Sequence, residues 1–427
     1  MTRRSPITWV PTAYFAMGLP FVVINMVTVL MFKGLEISDT LITFWTSLIL
    51  LPWTLKPLWS PFLEIYKTKK FFVVLTQLVT GAAFGLAALA LNLPDFFAVA
   101  LAMLTIVAFS GATHDIVCDG VYMSELSEQE QANYIGWQGA FYNIAKIVVT
   151  GGFVYLAGVL IDHYKAVGHT SFEANRLAWM IVLGVLCVTM ISLGIYHIFM
   201  LPGQTKTQRE KKSASEVANE LVNVLVEFFK IPHIIYYICF IILYRFAEGF
   251  VMKIVPLFLK ADRAMGGLGL DEKQIGLFYG TFGAAAFVIG SILAGYFIGH
   301  YGLKKTLFTL AVIFNLPFAV YTCLAWFQPE SSVLICSGIV LEYFGYGFGF
   351  VGLTLFMMQQ VAPGKHQMAH YAFASGIMNL GVMLPGMMSG WVCDMLGGYA
   401  NFFIFVLFAT IPALLITWFV PFRIQQS

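Results

Sequence analysis

The chain has 427 residues, of which 59% are hydrophobic and only 11% charged. Soluble domains carry about 25% charged residues, so this composition, with a mean hydropathy of +0.81, excludes a water-soluble globular protein and points to a polytopic membrane protein. The formal net charge of +2 gives no basis for a nucleic-acid partner.

A membrane-crossing helix needs about 20 mostly apolar residues. Twelve such segments are predicted in chain order: 8–31, 39–62, 71–91, 96–118, 133–160, 176–200, 232–259, 274–299, 306–327, 331–357, 367–392 and 399–421. The fold class is therefore all-α and membrane-integral. MTRRSPITWVP has a basic start, but no small-residue cleavage site follows its apolar run, which reads as the first span and not as a removed signal.

Span one contains Asn25, a candidate for substrate contact or for an interhelical hydrogen bond. Span two carries Lys56 in LPWTLKPLWSP and is followed by Glu64. Lys56 either snorkels toward the headgroups or faces a cavity as a partner of Asp115, Asp119 or Glu64. Span four ends in GATHDIVCDG, and its run from Phe96 holds no charge until Asp115. Ionisable groups at membrane depth are costly and read as ion or substrate paths. Asp115 and Asp119 are four apart and share one helix face, so their mutual repulsion makes a proton site. Asp119 lies nearer the helix end and is also a candidate partner of gate residues such as Lys56.

Span five holds Asn143 and, one turn on, Lys146, where snorkelling is harder and a buried or cavity-facing partner is expected. The polar interval from Pro202 to Glu220 reads as a linker. In its second part, Ser213 and Glu216 form a capping-box pattern, and Val217, Leu221, Val224, Leu225 and Phe228 keep helical spacing. The domain expectation is thus 1–201, a linker with an interfacial helix over 202–231, and 232–427.

Span seven contains LYRFAEGFVMK, in which Arg245 and Glu248 can pair at i, i+3. A titrating Glu248 would release Arg245 to an anionic substrate. Lys253 lies further along and is read as snorkelling. Span ten holds Glu342 in LEYFGYGFGF, with Gln359 and Gln360 at its end; span eleven holds Asn379. Rings here could stack on sugars while amides bond hydroxyls, or simply pack helices.

The positive-inside rule places the loops bearing Arg3, Arg4, Lys67, Lys69, Lys70, Lys206, Arg209, Lys304 and Lys305 in the cytoplasm, and with them both termini. All 6 cysteines fall in or beside spans without a CxxC pair, so neither a disulfide framework nor a metal site is expected. There is no Walker A motif, which leaves an ion gradient, and no cofactor, as the energy source. His114 beside Asp115 could be imagined as the base of a membrane-embedded transferase. Adjacent helical residues point about 100° apart, however, and no nucleophile motif accompanies them, so a transporter is expected and not an enzyme.

At one constant offset Phe141 matches Phe373, Gly158 matches Gly390 and Asp162 matches Asp394, and SPFLEIYKTKK after span two echoes GYFIGHYGLKK after span eight. The echo fits a pseudo-symmetric 6+6 bundle with a midplane site. GYFIGHYGLKK resembles the cytoplasmic signature of the major facilitator superfamily, and Glu64 holds the acidic position of the first copy, which makes it a gate or latch residue.

FAMGLPFVV, LPWTLKPLWSPFLE, ATHDIVCDG and LYRFAEGF together resemble the motifs of the AmpG-type muropeptide permeases of that superfamily, with His114 in place of Gln, Arg245 of Lys and Glu248 of Asp. The resemblance implies proton-coupled import of peptidoglycan fragments, such as GlcNAc-anhydro-MurNAc and its peptides, by a monomer in the inner membrane of a bacterium. The family's span-five Arg is Asn143 here, with Lys146 a turn away, so the implied cargo extends to an amino sugar without the peptide. An acyl-CoA carrier or a drug exporter of the same fold is the alternative.

Overall fold

The computed structural model describes residues 4–60, 63, 68–126, 128–203, 214–362 and 367–422. Glu64 and Ser213 lie outside the described residues. Everything regular among those described is helical. Among the described residues, eleven helices are long and apolar enough to cross a membrane. In chain order they are α1 Pro6–Gly34, α2 Asp39–Leu58, α3 Lys69–Ala90, α4 Phe96–Glu125, α5 Trp137–Ala166 and α6 Ser171–Met200, then α10 Glu272–Tyr301, α11 Leu303–Phe327, α12 Ser332–Val361, α13 Ala369–Met395 and α14 Tyr399–Trp418. Between these sets lie α7 Ala214–Phe229, α8 Ile234–Tyr244 and α9 Phe246–Lys260.

The seventh predicted span is therefore two helices. The ladder breaks at Arg245, whose backbone leaves the helical region at φ −103°, ψ 5°. Together α8 and α9 supply the twelfth crossing.

Side-chain caps in the sequence explain five of the helix starts. Ser38, Thr68 and Ser331 each accept a backbone N–H three residues on, while Thr170 with Glu173 and Asp271 with Gln274 form reciprocal capping boxes. Each cap satisfies a donor that the first turn leaves open. The helices are also interrupted inside. Pro20 removes one bond from the α1 ladder, and the following turn, Val23–Val27, widens to π geometry. Similar turns occur at Val148–Phe153 in α5, Gly276–Gly283 in α10 and Met357–Val361 in α12. Such turns often mark functional positions.

The chain divides into two compact units, Met1–Glu36 with Leu58–Leu221, and Ile37–Pro57 with Val222–Ser427. Nearly all of α2 therefore packs with the second unit, across the sequential division read from the chain. The reason lies in small and hydroxyl side chains. Thr43 Oγ1 accepts the Gly390 N–H at 3.1 Å, and Thr40 Oγ1 donates to Asp394 at 2.7 Å. Tyr399 donates to Asp39 at 2.6 Å, so the first turns of α2 are tied to both α13 and α14.

Within each unit, glycines set how closely helices approach, as is usual where lipid removes the hydrophobic drive between helices. In the first, Gly81 of α3 lies against Cys187 and Ile191 of α6, and Thr80 donates to Ser110 of α4 at 2.9 Å. In the second, Gly347 of α12 meets the Phe287 backbone of α10, while Gly345, Gly349 and Gly352 meet α11. The glycine-rich run of span ten is thus a two-sided packing face. In α7, Val224 and Phe228 are buried, and the Phe228 ring lies 5.7 Å from that of Phe373.

Candidate functional site

In the first unit the polar residues gather around α4. Its Asp115 and Asp119 are half-buried on one face. Asp119 accepts the Tyr14 hydroxyl of α1 at 2.7 Å, and the Tyr14 ring packs edge-on against Tyr122 at 5.8 Å. Tyr142 of α5 lies within electrostatic reach of both carboxylates, and Lys146 lies over its ring at 4.9 Å. Tyr142, unremarked in the sequence, thus joins the cation of α5 to the carboxylates of α4. The half-buried Asn143 is occupied by its own helix, donating to Gly139 O at 2.9 Å.

Asn25 is buried in the widened turn of α1 and donates to Phe21 O at 3.0 Å. His114 turns away from its neighbour Asp115, as the helical angle requires. It is 2% exposed and meets Gln77 of α3. The two therefore do not form the base pair of a transferase. Lys69 and Lys70 close the end of this unit, donating to Gly120 O at 3.1 Å and Leu201 O at 2.8 Å.

In the second unit the centre is the break between α8 and α9. Arg245 Nε and NH2 each donate to one Glu248 oxygen at 2.5 Å, a two-pronged ion pair with both residues buried. The guanidinium lies 5.1 Å from the centre of the Phe350 ring, and Tyr346 lies within electrostatic reach of both members of the pair. Close by, Glu342 accepts the Tyr321 hydroxyl at 2.9 Å, while Tyr279 and Tyr343 pack edge-on at 4.8 Å. Glu248 and Tyr346 thus face the guanidinium, and Glu342 with Tyr279, Tyr321 and Tyr343 forms a polar cluster beside them. Such a group can bond many hydroxyls and one anion.

Sequence reasoning found the pair, Glu342 and the rings of LEYFGYGFGF, among them Tyr343 and Tyr346, but missed Tyr279 and Tyr321. Aromatic residues are so abundant in the chain that no spacing singles these out.

The remaining candidates lie elsewhere. Gln360 is buried in the π turn of α12, whereas Gln359 beside it is exposed. Asn379 is half-buried in α13, and Lys56 is half-buried in the short turn that ends α2. Lys253 does not snorkel. It is 1% exposed and donates to Thr46 O of α2 at 3.3 Å, because α2 covers the face of α9 from which a long side chain would otherwise reach the headgroups. The six cysteines are free thiols, and no group of three metal-ligating side chains occurs among the described residues.

Comparison with known proteins gives a consistent result. Residues 241–425 match the model of the Major Facilitator Superfamily. The chain is 23% identical over 413 residues to the anhydromuropeptide permease of Escherichia coli, covering 94% of this chain and 77% of that one. It is 23% identical over 428 residues to an uncharacterized protein of Haemophilus influenzae, covering 97% and 94%. Among solved structures it superposes on a D-xylose–proton symporter with a TM-score of 0.72 at 12% identity, covering 97% of each chain.

Proposed function

We propose that this chain, a major facilitator transporter of the AmpG type, imports a murein-derived saccharide or peptide with protons across the inner membrane of a bacterium. Alternating access driven by the proton gradient, with no cofactor, would provide the cycle, and both termini would lie in the cytoplasm. The observation that carries the reading is the closed Arg245–Glu248 fork among tyrosines.

A buried guanidinium paired to a carboxylate is held shut while that carboxylate is ionised. A proton on Glu248 removes the charge, and Arg245 is then available to the lactyl or peptide carboxylate of the substrate. Loss of that proton restores the fork and expels the substrate. Proton and anion therefore enter together, which is the logic of symport. The hydroxyls of Tyr279, Tyr321, Tyr343 and Tyr346, with Glu342, suit the hydroxyls and amide of an amino sugar. Gln359 and Asn379 are the further polar candidates of this unit, with Lys56 and the motif residue Glu64 as gate.

In the first unit Asp115 and Asp119 are the other proton candidates, and Asn25, Asn143 and Lys146 the further substrate contacts. Tyr14 already occupies one oxygen of Asp119, which favours Asp115 as the titrating member.

A thermal-shift screen of the purified protein tests the substrate class. GlcNAc-anhydro-MurNAc should raise the unfolding temperature, since a ligand stabilises the state that binds it. Neutral N-acetylglucosamine should do so less, and Arg245→Gln should abolish the difference between the two. Stabilisation by coenzyme A but not by the murein fragment would assign the carrier to other cargo.

A further inference from the structure

Four polar side chains form an unbroken chain through the interior of the first unit, and none belongs to the candidate site. Thr12 Oγ1 of α1 lies 2.9 Å from His197 Nε2 of α6. His197 Nδ1 lies 2.8 Å from Gln77 Oε1 of α3, and Gln77 Nε2 lies 2.9 Å from His114 Nε2 of α4. Gln77 and His197 are 0% exposed and His114 2%.

The chemistry of the amide fixes the protons. Its nitrogen can only donate and its oxygen can only accept. His114 Nε2 must therefore accept, which puts that ring's proton on Nδ1 and forbids a second proton on Nε2. Buried His114 Nδ1 has no hydrogen-bond partner. His197 is in the opposite position. Its Nδ1–H donates to the amide, and its Nε2 faces a hydroxyl that can serve either way.

Thr12 also lies 3.1 Å from the Trp9 carbonyl, to which it can donate. With its hydrogen toward His197, the ring is neutral. With its hydrogen toward Trp9, the oxygen accepts from a protonated Nε2. One hydroxyl rotation satisfies both charge states of His197, and nothing comparable exists for His114.

We infer that His197 is a proton-binding site of the transport cycle, with Gln77 holding His114 neutral and Thr12 adapting to the load. A proton from water adds to the Nε2 lone pair, the N–H bond forms, and the Thr12 hydroxyl turns to Trp9. The coupling role rests on the symport reading above; the proton assignment does not.

The charged and titratable groups around the pair are few. Lys70 of α3 faces His197 and opposes its charge, while its own Nζ is tied to Leu201 O at 2.8 Å. Tyr196 packs edge-on to His197 at 5.5 Å and spends its hydroxyl on Thr8 O. The titratable group that faces His114 is His197, across the Gln77 amide, while Asp115 and Cys118 are neighbours along its own helix.

Histidine-15N NMR of the full chain in lipid nanodiscs tests the assignment. Both rings are expected as the Nδ1–H tautomer at neutral pH, the form less common in water. On acidification only His197 gains a second proton, and Lys70→Gln moves that titration to higher pH. An Nε2–H tautomer at His114, protonation of His114 first, or a His197 titration indifferent to Lys70→Gln overturns the assignment.

In proteoliposomes under an imposed pH gradient, His197→Gln should lose most of the accumulation of GlcNAc-anhydro-MurNAc. Accumulation equal to that of the wild-type protein removes the coupling role. If the wild-type protein itself fails to accumulate, the symport reading falls with the coupling role, and the NMR result still decides where the proton binds.

Discussion

The Arg245–Glu248 fork concentrates most of the chemistry of the second unit in two side chains. Removing one partner of a buried pair leaves a charge without compensation, which costs about 3–5 kcal/mol. Glu248→Ala should therefore destabilise the purified protein strongly, seen as a large fall in unfolding temperature. Glu248→Gln keeps the shape and an acceptor oxygen and should cost less, seen as a smaller fall in unfolding temperature. An equal fall for the two variants would mean that the lost charge alone, and not the lost hydrogen bonds, sets the cost. Tyr14 makes a smaller contribution. Tyr14→Phe withdraws one hydrogen bond from a carboxylate and should cost about 1.5–3 kcal/mol, measurable by denaturant unfolding in detergent. Loss of much less would mean that Asp119 has replaced the hydroxyl.

At the scale of elements, apolar length alone marks out the crossings, because lipid requires nearly continuous apolar helix. Caps such as Thr170 with Glu173 then place their starts. The break at Arg245 is different. Hydropathy averages over a window, whereas the break is a change in the backbone of one residue inside an unbroken apolar context. The same limit hid the covering of Lys253 by α2, since chain order gives no sign that α2 packs with the second unit. Gln77 and His197 were visible as polar residues in apolar spans, but their pairing across α3 and α6 was not. The glycines of α12 were legible only as a composition. Their positions assign Gly347 to α10 and its neighbours to α11. Gly347→Val should therefore push α12 from the α10 backbone and cost about 1–3 kcal/mol or more, read as a lower unfolding temperature.

At the scale of the whole molecule, eleven helices long and apolar enough to cross a membrane among the described residues, with the broken pair α8 and α9, make an all-helical membrane protein that shares its fold with a D-xylose–proton symporter. Fold alone never fixes cargo. The muropeptide reading depends on motifs that tie Asp115, Asp119, Arg245 and Glu248 to one family, and on a cluster whose chemistry suits an anionic amino sugar. A proton gradient adds a defined requirement. Substrate must accumulate above equilibrium when protons flow with it, and must merely equilibrate when they do not. The direct measurement is uptake of labelled GlcNAc-anhydro-MurNAc into proteoliposomes whose exterior is more acidic than the lumen. Accumulation several-fold above equilibrium, abolished by a protonophore and by Arg245→Gln, is the predicted result. Uptake of this substrate that ignores the gradient, or no uptake at all, would contradict proton-coupled import.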